Sequence, residues 1–309
     1  MVFTTLIWHV MPLYALILLG FVVGKTTDLD VKSIATLMLY AVLPIVMFGA
    51  TAKMEFTPDY LLAPFIIASI SVMASSIAYV TSRAIWGQQD KRHNLLGMLG
   101  VSSNATYFGV PIGLAILGQD YLSVFMMMVL PLFIFDCTLG YYYGLRGELD
   151  IKESLVDVLK LPIIYGAIFG LLYNFAGFEL SQIMYDYWER FTGTVVILGM
   201  MLIGSGLSQI DHFRFDRSFF IGVCGLRYIL WPGFALLWVL LDVHVLQLLS
   251  DEIHTMIILI AACPLAANHV AYAVKLDLHP ALTSCMILLT TLLALVFIPF
   301  MMWVKTIVI

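Results

Sequence analysis

The chain has 309 residues, 62% of them hydrophobic and 11% charged, with a formal net charge of −5 and a mean hydropathy of +1.00. A soluble domain has roughly 25% charged residues, so this composition excludes soluble enzymes and binding modules. It defines an all-α polytopic membrane protein with little mass outside the bilayer and no expected nucleic-acid partner.

Ten apolar runs of spanning length are expected, at 5–25, 32–52, 60–86, 93–118, 121–145, 155–177, 190–210, 216–241, 253–276 and 279–305. The first ends in Leu19–Lys25 (LGFVVGK) rather than a small-residue cleavage site, so it is expected to remain as a helix. With the N-terminus outside, the cytoplasmic loops carry Lys25, Lys32, Arg83, Lys91, Arg92, Arg146, Lys152, Lys160, Arg214, Arg217 and Lys275. The opposite side carries only Lys53, Arg190 and Lys305. That imbalance follows the positive-inside rule and predicts an even number of spans with both termini non-cytoplasmic. The charged segment Arg146–Lys160 is the only loop long enough to link two halves.

Two spans are interrupted by residues that break helices. Ser102–Gly118 (SSNATYFGVPIGLAILG) and Ile260–Asp277 (IAACPLAANHVAYAVKLD) each place proline and asparagine near the middle, the first with several glycines. Proline there removes a backbone donor and clashes with the preceding turn, in a medium that offers no water. Such a pair in corresponding halves of a chain points to the binding site of a secondary transporter. Pro12–Gly20 (PLYALILLG) and Pro162–Gly170 (PIIYGAIFG) repeat the same proline–glycine separation at the starts of helices one and six. The broken segments are then the fourth helix of each five. Five is odd, so the second copy is inverted: the expected fold is two inverted five-helix repeats, 1–150 and 151–309.

The chain resembles the auxin efflux carrier family nearly end to end. The likeness is carried by Pro12–Gly24, Tyr40–Phe48 (YAVLPIVMF), Asn104, Gly109-Val110-Pro111, Gly118, Ile197–Leu207 (ILGMMLIGSGL) and Ala262–Ala273 (ACPLAANHVAYA). The resemblance implies a scaffold of helices one, two, six and seven (5–52 and 155–210). It implies a mobile transport bundle of the rest (60–145 and 216–305), with broken helices four and nine crossing. It also implies small organic acids as substrates, auxin in plants and dicarboxylates such as malonate or malate in bacteria. A bacterial inner (plasma) membrane location and a homodimer formed through the scaffold belong to the same expectation.

At about 12 and about 9 residues from the cytoplasmic ends of their helices, Asn104 and Asn268 sit near the bilayer midplane. An amide has two donors and an acceptor, enough to hold a carboxylate without bringing a charge into the membrane. The alternative is that each asparagine only satisfies its own broken backbone. Ser103, with Ser102 and Thr106, adds hydroxyls. Gly109, Pro111, Gly113 and Pro264 are expected to shape the crossing, with half-helix N-termini after Pro111 and Pro264 that favour an anion. His269 can bind an anion when protonated, relay a proton or simply pack. The other histidines, His9, His93, His212, His244, His254 and His279, lie near helix ends or in loops, where solvation explains them.

Asp136 and Arg227 are the obvious intramembrane charges. Equal depth and opposite sign predict one ion pair, since an unpaired charge there is costly. That pair can be structural, or Arg227 can attract the anion and Asp136 take up a coupling proton. The four cysteines, Cys137, Cys224, Cys263 and Cys285, lack metal or redox spacing. No resident cofactor or metal is expected; the coupling ion, if one is used, is H+ or Na+.

Several local patterns are set aside. Gly20–Thr26 (GFVVGKT) misses the phosphate-loop spacing by one residue, and Asn104-Ala-Thr106 is a sequon at membrane depth. Gly140–Gly144 and Gly166–Gly170 suit close helix packing. Tyr141–Tyr143 and Trp86 read as interfacial aromatics, and the charges of Asp150–Asp157 as a solvated loop. The leading function is a carrier of a small organic anion. Its rivals are a sodium-coupled symporter of bile-acid-transporter type and, more remotely, a channel, for which no filter-like repeat is present. An intramembrane enzyme has no support: paired intramembrane aspartates, a His-Glu-x-x-His zinc motif and an aspartate-rich prenyl-diphosphate motif are all missing.

Overall fold

The computed structural model describes residues 2–87, 89–101, 103–144, 159–208, 215–266 and 268–308, with side chains from residue 11 onward except at 137, 141, 271, 274 and 275. Ser102, His212, Arg214, the charges between Arg146 and Asp157, and the side chains of His9, Cys137, Tyr141 and Lys275 lie outside the described residues. Among those described, the fold is all-helical, without strands.

Among the described residues, six helices are long and apolar enough to cross a membrane: Val31–Ala52, Pro58–Trp86, Leu122–Gly144, Gln182–Ser208, Arg217–Leu246 and Pro280–Val308. Met11–Thr26 and Pro162–Phe175 are shorter apolar helices. Two further helical segments are interrupted: Lys91–Gly100 resumes at 105–117, and Asp251–Ala262 resumes at His269–Lys275. Leu18, Phe65, Val80, Ile85, Phe175, Ile221, Ile229 and Val296 are exposed large apolar side chains. Their spread over so many helices is the surface lipid requires, not that of a soluble monomer.

Chain contacts divide the molecule into two compact units, each drawing on both halves of the sequence. The first comprises Met1–Leu61, Thr106–Leu130 and Leu159–Gln209. Close approach through glycine organises it. Gly20 meets the backbone at Met201, and Gly204 meets the Ile17 carbonyl, so Val2–Thr26 and Gln182–Ser208 touch backbone to backbone. Ser205 Oγ adds a 2.9 Å hydrogen bond to the Gly20 carbonyl. Gly166 meets the Pro44 backbone and Gly170 meets Phe48 and Thr51, so Pro162–Phe175 lies equally close to Leu43–Ala52. Without a hydrophobic driving force between helices in lipid, van der Waals contact between close backbones holds such pairs together.

The second unit comprises Leu62–Ala105, Pro131–Val158 and Ile210–Ile309. Its centre is formed by the two interrupted helices: every residue from His93 to Gly100 and from Ile253 to Ala262 is buried. Caps start these helices: Asp90 accepts from the Arg92 N–H, Asp216 from Phe219 and Ser250 from Ile253. Two histidines assigned to solvent from the sequence are instead buried here. His93 Nδ1 lies 2.6 Å from the Asp90 carbonyl, and His254 Nε2 lies 2.9 Å from Asp242 Oδ2. Asp242 also accepts from the Leu248 and Leu249 N–H groups, which ties the end of its helix to the next turn.

Candidate functional site

In both interrupted helices the sequence dictates the break locally. At the first, helix is lost between Gly100 and Ala105, where Ser103 and Asn104 are weak helix formers. At the second, Pro264 disfavours helical geometry at the residue before it. Cys263 is accordingly extended, with φ −62° and ψ 149°.

The first break lies earlier than the sequence suggested. Gly109, Pro111 and Gly113 were expected to shape it, yet all three sit inside continuous helix, 105–117, within the first unit. Pro111 creates no half-helix N-terminus, because a π turn, Ala105–Gly109, precedes it and carries Tyr107, the residue whose carbonyl the proline ring would strike. The same arrangement recurs at Met38–Val42 before Pro44 and at Leu226–Leu230 before Pro232, with Tyr40 and Tyr228 four residues ahead of the proline.

Breaking a helix in lipid frees carbonyls that must find donors. Trp231 Nε1 donates to the Gly100 carbonyl at 3.0 Å, and Ser71 Oγ donates to Val101. Arg227 donates to Cys263 through Nη2, with its guanidinium stacked 4.6 Å from the Trp231 ring centroid. The Asn104 N–H donates to the Pro264 carbonyl at 2.8 Å, so the two breaks are joined backbone to backbone.

The ion pair expected between Asp136 and Arg227 is replaced by two separate arrangements. Arg227 is fully buried at the C-terminal end of Asp251–Ala262, where a cation suits both the freed carbonyl and the helix dipole. Asp136 instead accepts from Asn268 Nδ2 at 3.0 Å and faces His269 Nε2 at 3.4 Å. The physical reason is that both residues lie in π turns, Asp136–Gly140 and Leu226–Leu230. A wide turn rotates every later side chain relative to a straight helix, so equal depth does not imply facing.

Asn104 and Asn268 occupy matching positions, each immediately before its restarted helix. Their environments differ. Asn104 is buried, and its Nδ2 has no hydrogen-bond partner among the described residues; the Ser103 hydroxyl beside it is also buried and unpartnered among them. Asn268 is exposed and held by Asp136. His269 is fully buried, with Nδ1 3.1 Å from the Ala266 carbonyl. The second unit therefore gathers Ser103, Asn104, Pro264, Asn268, His269, Asp136 and Arg227, seven of the ten expected residues. A cavity of about 570 Å³ is lined by first-unit residues including Lys53, Asn174, Glu179 and Tyr185, and none of the expected site residues reaches it. Lys53 there packs 4.1 Å from the Tyr185 ring centroid, and burial holds its amine below the usual lysine range.

Buried breaks, a lipid-type exterior and several spanning helices define a multi-pass membrane transport protein. Comparison with known proteins agrees. Residues 149–302 match the family model described as membrane transport protein. An uncharacterized transporter of Methanocaldococcus jannaschii is 24% identical over 230 residues, covering 71% of this chain and 74% of the relative. Over residues 149–302 the chain is thus similar to this membrane transport family.

Proposed function

We propose that this protein is a secondary carrier moving a small organic anion, a mono- or dicarboxylate, by alternating access. Asn104 and Asn268 are the carboxylate ligands. The observation that carries this reading is the buried, unpartnered amide nitrogen of Asn104, placed where two interrupted helices exchange a backbone hydrogen bond. A buried donor left unmade costs about 1–3 kcal/mol. A fold retains such a group where a ligand satisfies it during the cycle. The Ser103 hydroxyl is a second donor of the same kind. Asn268 has one N–H committed to Asp136, which leaves its other N–H and its oxygen for substrate. Neither asparagine side chain caps its own helix among the described residues, which counts against a purely structural role.

The architecture we assign is ten spans in two inverted five-helix repeats, 1–150 and 151–309, with a scaffold of 5–52 and 155–210 and a transport bundle of 60–145 and 216–305. The first compact unit holds the scaffold segments together with Thr106–Leu130. The glycine contacts support the repeat. Gly20 and Gly170 end the two matching proline–glycine segments; one lies against Gln182–Ser208 and the other against Leu43–Ala52. The first helix of each copy thus packs on the second helix of the other copy, as a pseudo-two-fold requires. Eleven basic residues against three in alternate loops support non-cytoplasmic termini in a plasma, or bacterial inner, membrane.

Counterflow of labelled malonate in proteoliposomes tests the class. Saturable exchange that is abolished in Asn104→Ala is expected. A conductance that never saturates would identify a channel and overturn the carrier.

A further inference from the structure

We infer that Asp136 and His269 form a buried proton-binding site whose occupancy sets the orientation of the Asn268 amide. This rests on the reading of Asn268 as a substrate ligand. His269 Nδ1 lies 3.1 Å from the Ala266 carbonyl, which only accepts, so Nδ1 carries a hydrogen. Nε2 then faces Asp136 Oδ1 at 3.4 Å with no donor on either side. If the histidine were neutral and the aspartate ionised, two lone pairs would confront each other in a fully buried site. One proton therefore lies between them, on the imidazole or on the carboxyl.

Against the ring, the Leu122–Gly144 helix supplies Asp136, and Lys91–Gly100 supplies the Met98 carbonyl. The helix of His269 itself supplies Tyr272, with ring centroids 5.9 Å apart. Among the described residues, Asp136 is the one charged group acting on the imidazole. The pair is net neutral with one proton, which is the least costly state for an ionisable pair at this depth.

The link to substrate runs through the second carboxylate oxygen. Asp136 Oδ2 accepts from Asn268 Nδ2 at 3.0 Å. Adding a second proton places a hydrogen on the carboxyl and weakens it as an acceptor, which releases the amide. Removing the shared proton drives Oδ1 and Nε2 apart, which moves the carboxylate and the amide with it. Proton binding and the geometry of a substrate ligand are thus coupled by one hydrogen bond, the linkage that proton-driven transport needs.

The test uses the full chain in detergent, with nitrogen-15 histidine and side-chain-labelled asparagine, read by NMR across pH, together with the infrared carboxylic-acid band. One doubly protonated histidine, or one protonated carboxyl, is expected at neutral pH and is expected to disappear in Asp136→Asn. The Asn268 amide, assigned by its loss in Asn268→Ala, should shift at the same midpoint. If Asp136→Asn does not fold, His269→Gln is to remove the pH-dependent shift of that amide. A histidine protonated at Nδ1 alone beside an ionised carboxyl, or an amide indifferent to pH, would overturn the inference. Because these signals read the proton and not the acid, failure here leaves the Asn104 ligand reading standing. Failure of acid binding in Asn104 variants would leave the proton site standing in turn.

Discussion

The two interruptions share a backbone plan and differ in chemistry. Each ends a buried half-helix, places an asparagine just before the next helix and hands its carbonyls to side-chain donors. At the first break the donors are neutral, an indole and a hydroxyl, and Asn104 is left with a free buried amide. At the second the donor is a guanidinium, and Asn268 donates to an aspartate that also faces a histidine. On the proposed function, one break is an open ligand and the other a ligand under control. The pairing teaches that two similar helix breaks can position equivalent amides in different chemical surroundings.

Arg227→Met breaks this comparison most strongly. It leaves the Cys263 carbonyl buried without its charged donor, and a loss of about 1.5–3 kcal/mol is expected, measured as a fall in thermal midpoint of the purified protein. Trp231→Phe, the corresponding change at the first break, removes only the indole N–H from Gly100 and is expected to cost about 1 kcal/mol. Equal effects of the two would erase the charged-versus-neutral distinction. Asn104→Ala removes a buried donor with no partner, so no loss of thermal stability is expected, whereas Asn268→Ala should lose about 1 kcal/mol with its bond to Asp136.

The smallest effect concerns the start of the first half-helix. Hydrogen bonding by the Arg92 guanidinium holds the Asp90 carboxyl below the usual range. A depressed folded value means the stabilisation is complete above the unfolded value of about 3.9 and is lost as pH falls through the lower folded value. Asp90→Asn keeps a capping side chain but no titrating charge. Its stability should therefore be flatter below about pH 4, as followed by acid unfolding.

Much of this was legible in the sequence, because span length and apolar composition are direct consequences of bilayer thickness. The proline and asparagine signals pointed to both broken helices. The exact position of the first break was not legible: Pro111 was read as the breaker, yet the π turn before it absorbs the ring clash. The recurring Tyr-x-x-x-Pro at Tyr40, Tyr107 and Tyr228 marks those three turns, although Tyr60 and Pro64 share the spacing inside ordinary helix. The Asp136–Arg227 pairing was inferred from depth along straight helices, and π turns at both residues invalidate that ruler. His269 stood out beside Asn268, but its partner, more than a hundred positions away, could only be seen in three dimensions.

The most direct measurement is thermal stabilisation of the purified protein by a panel of mono- and dicarboxylates, repeated in Asn104→Ala and Asn268→Ala. The account predicts an acid that raises the melting temperature of the native chain and fails to do so in either variant. Undiminished stabilisation in both variants would contradict it.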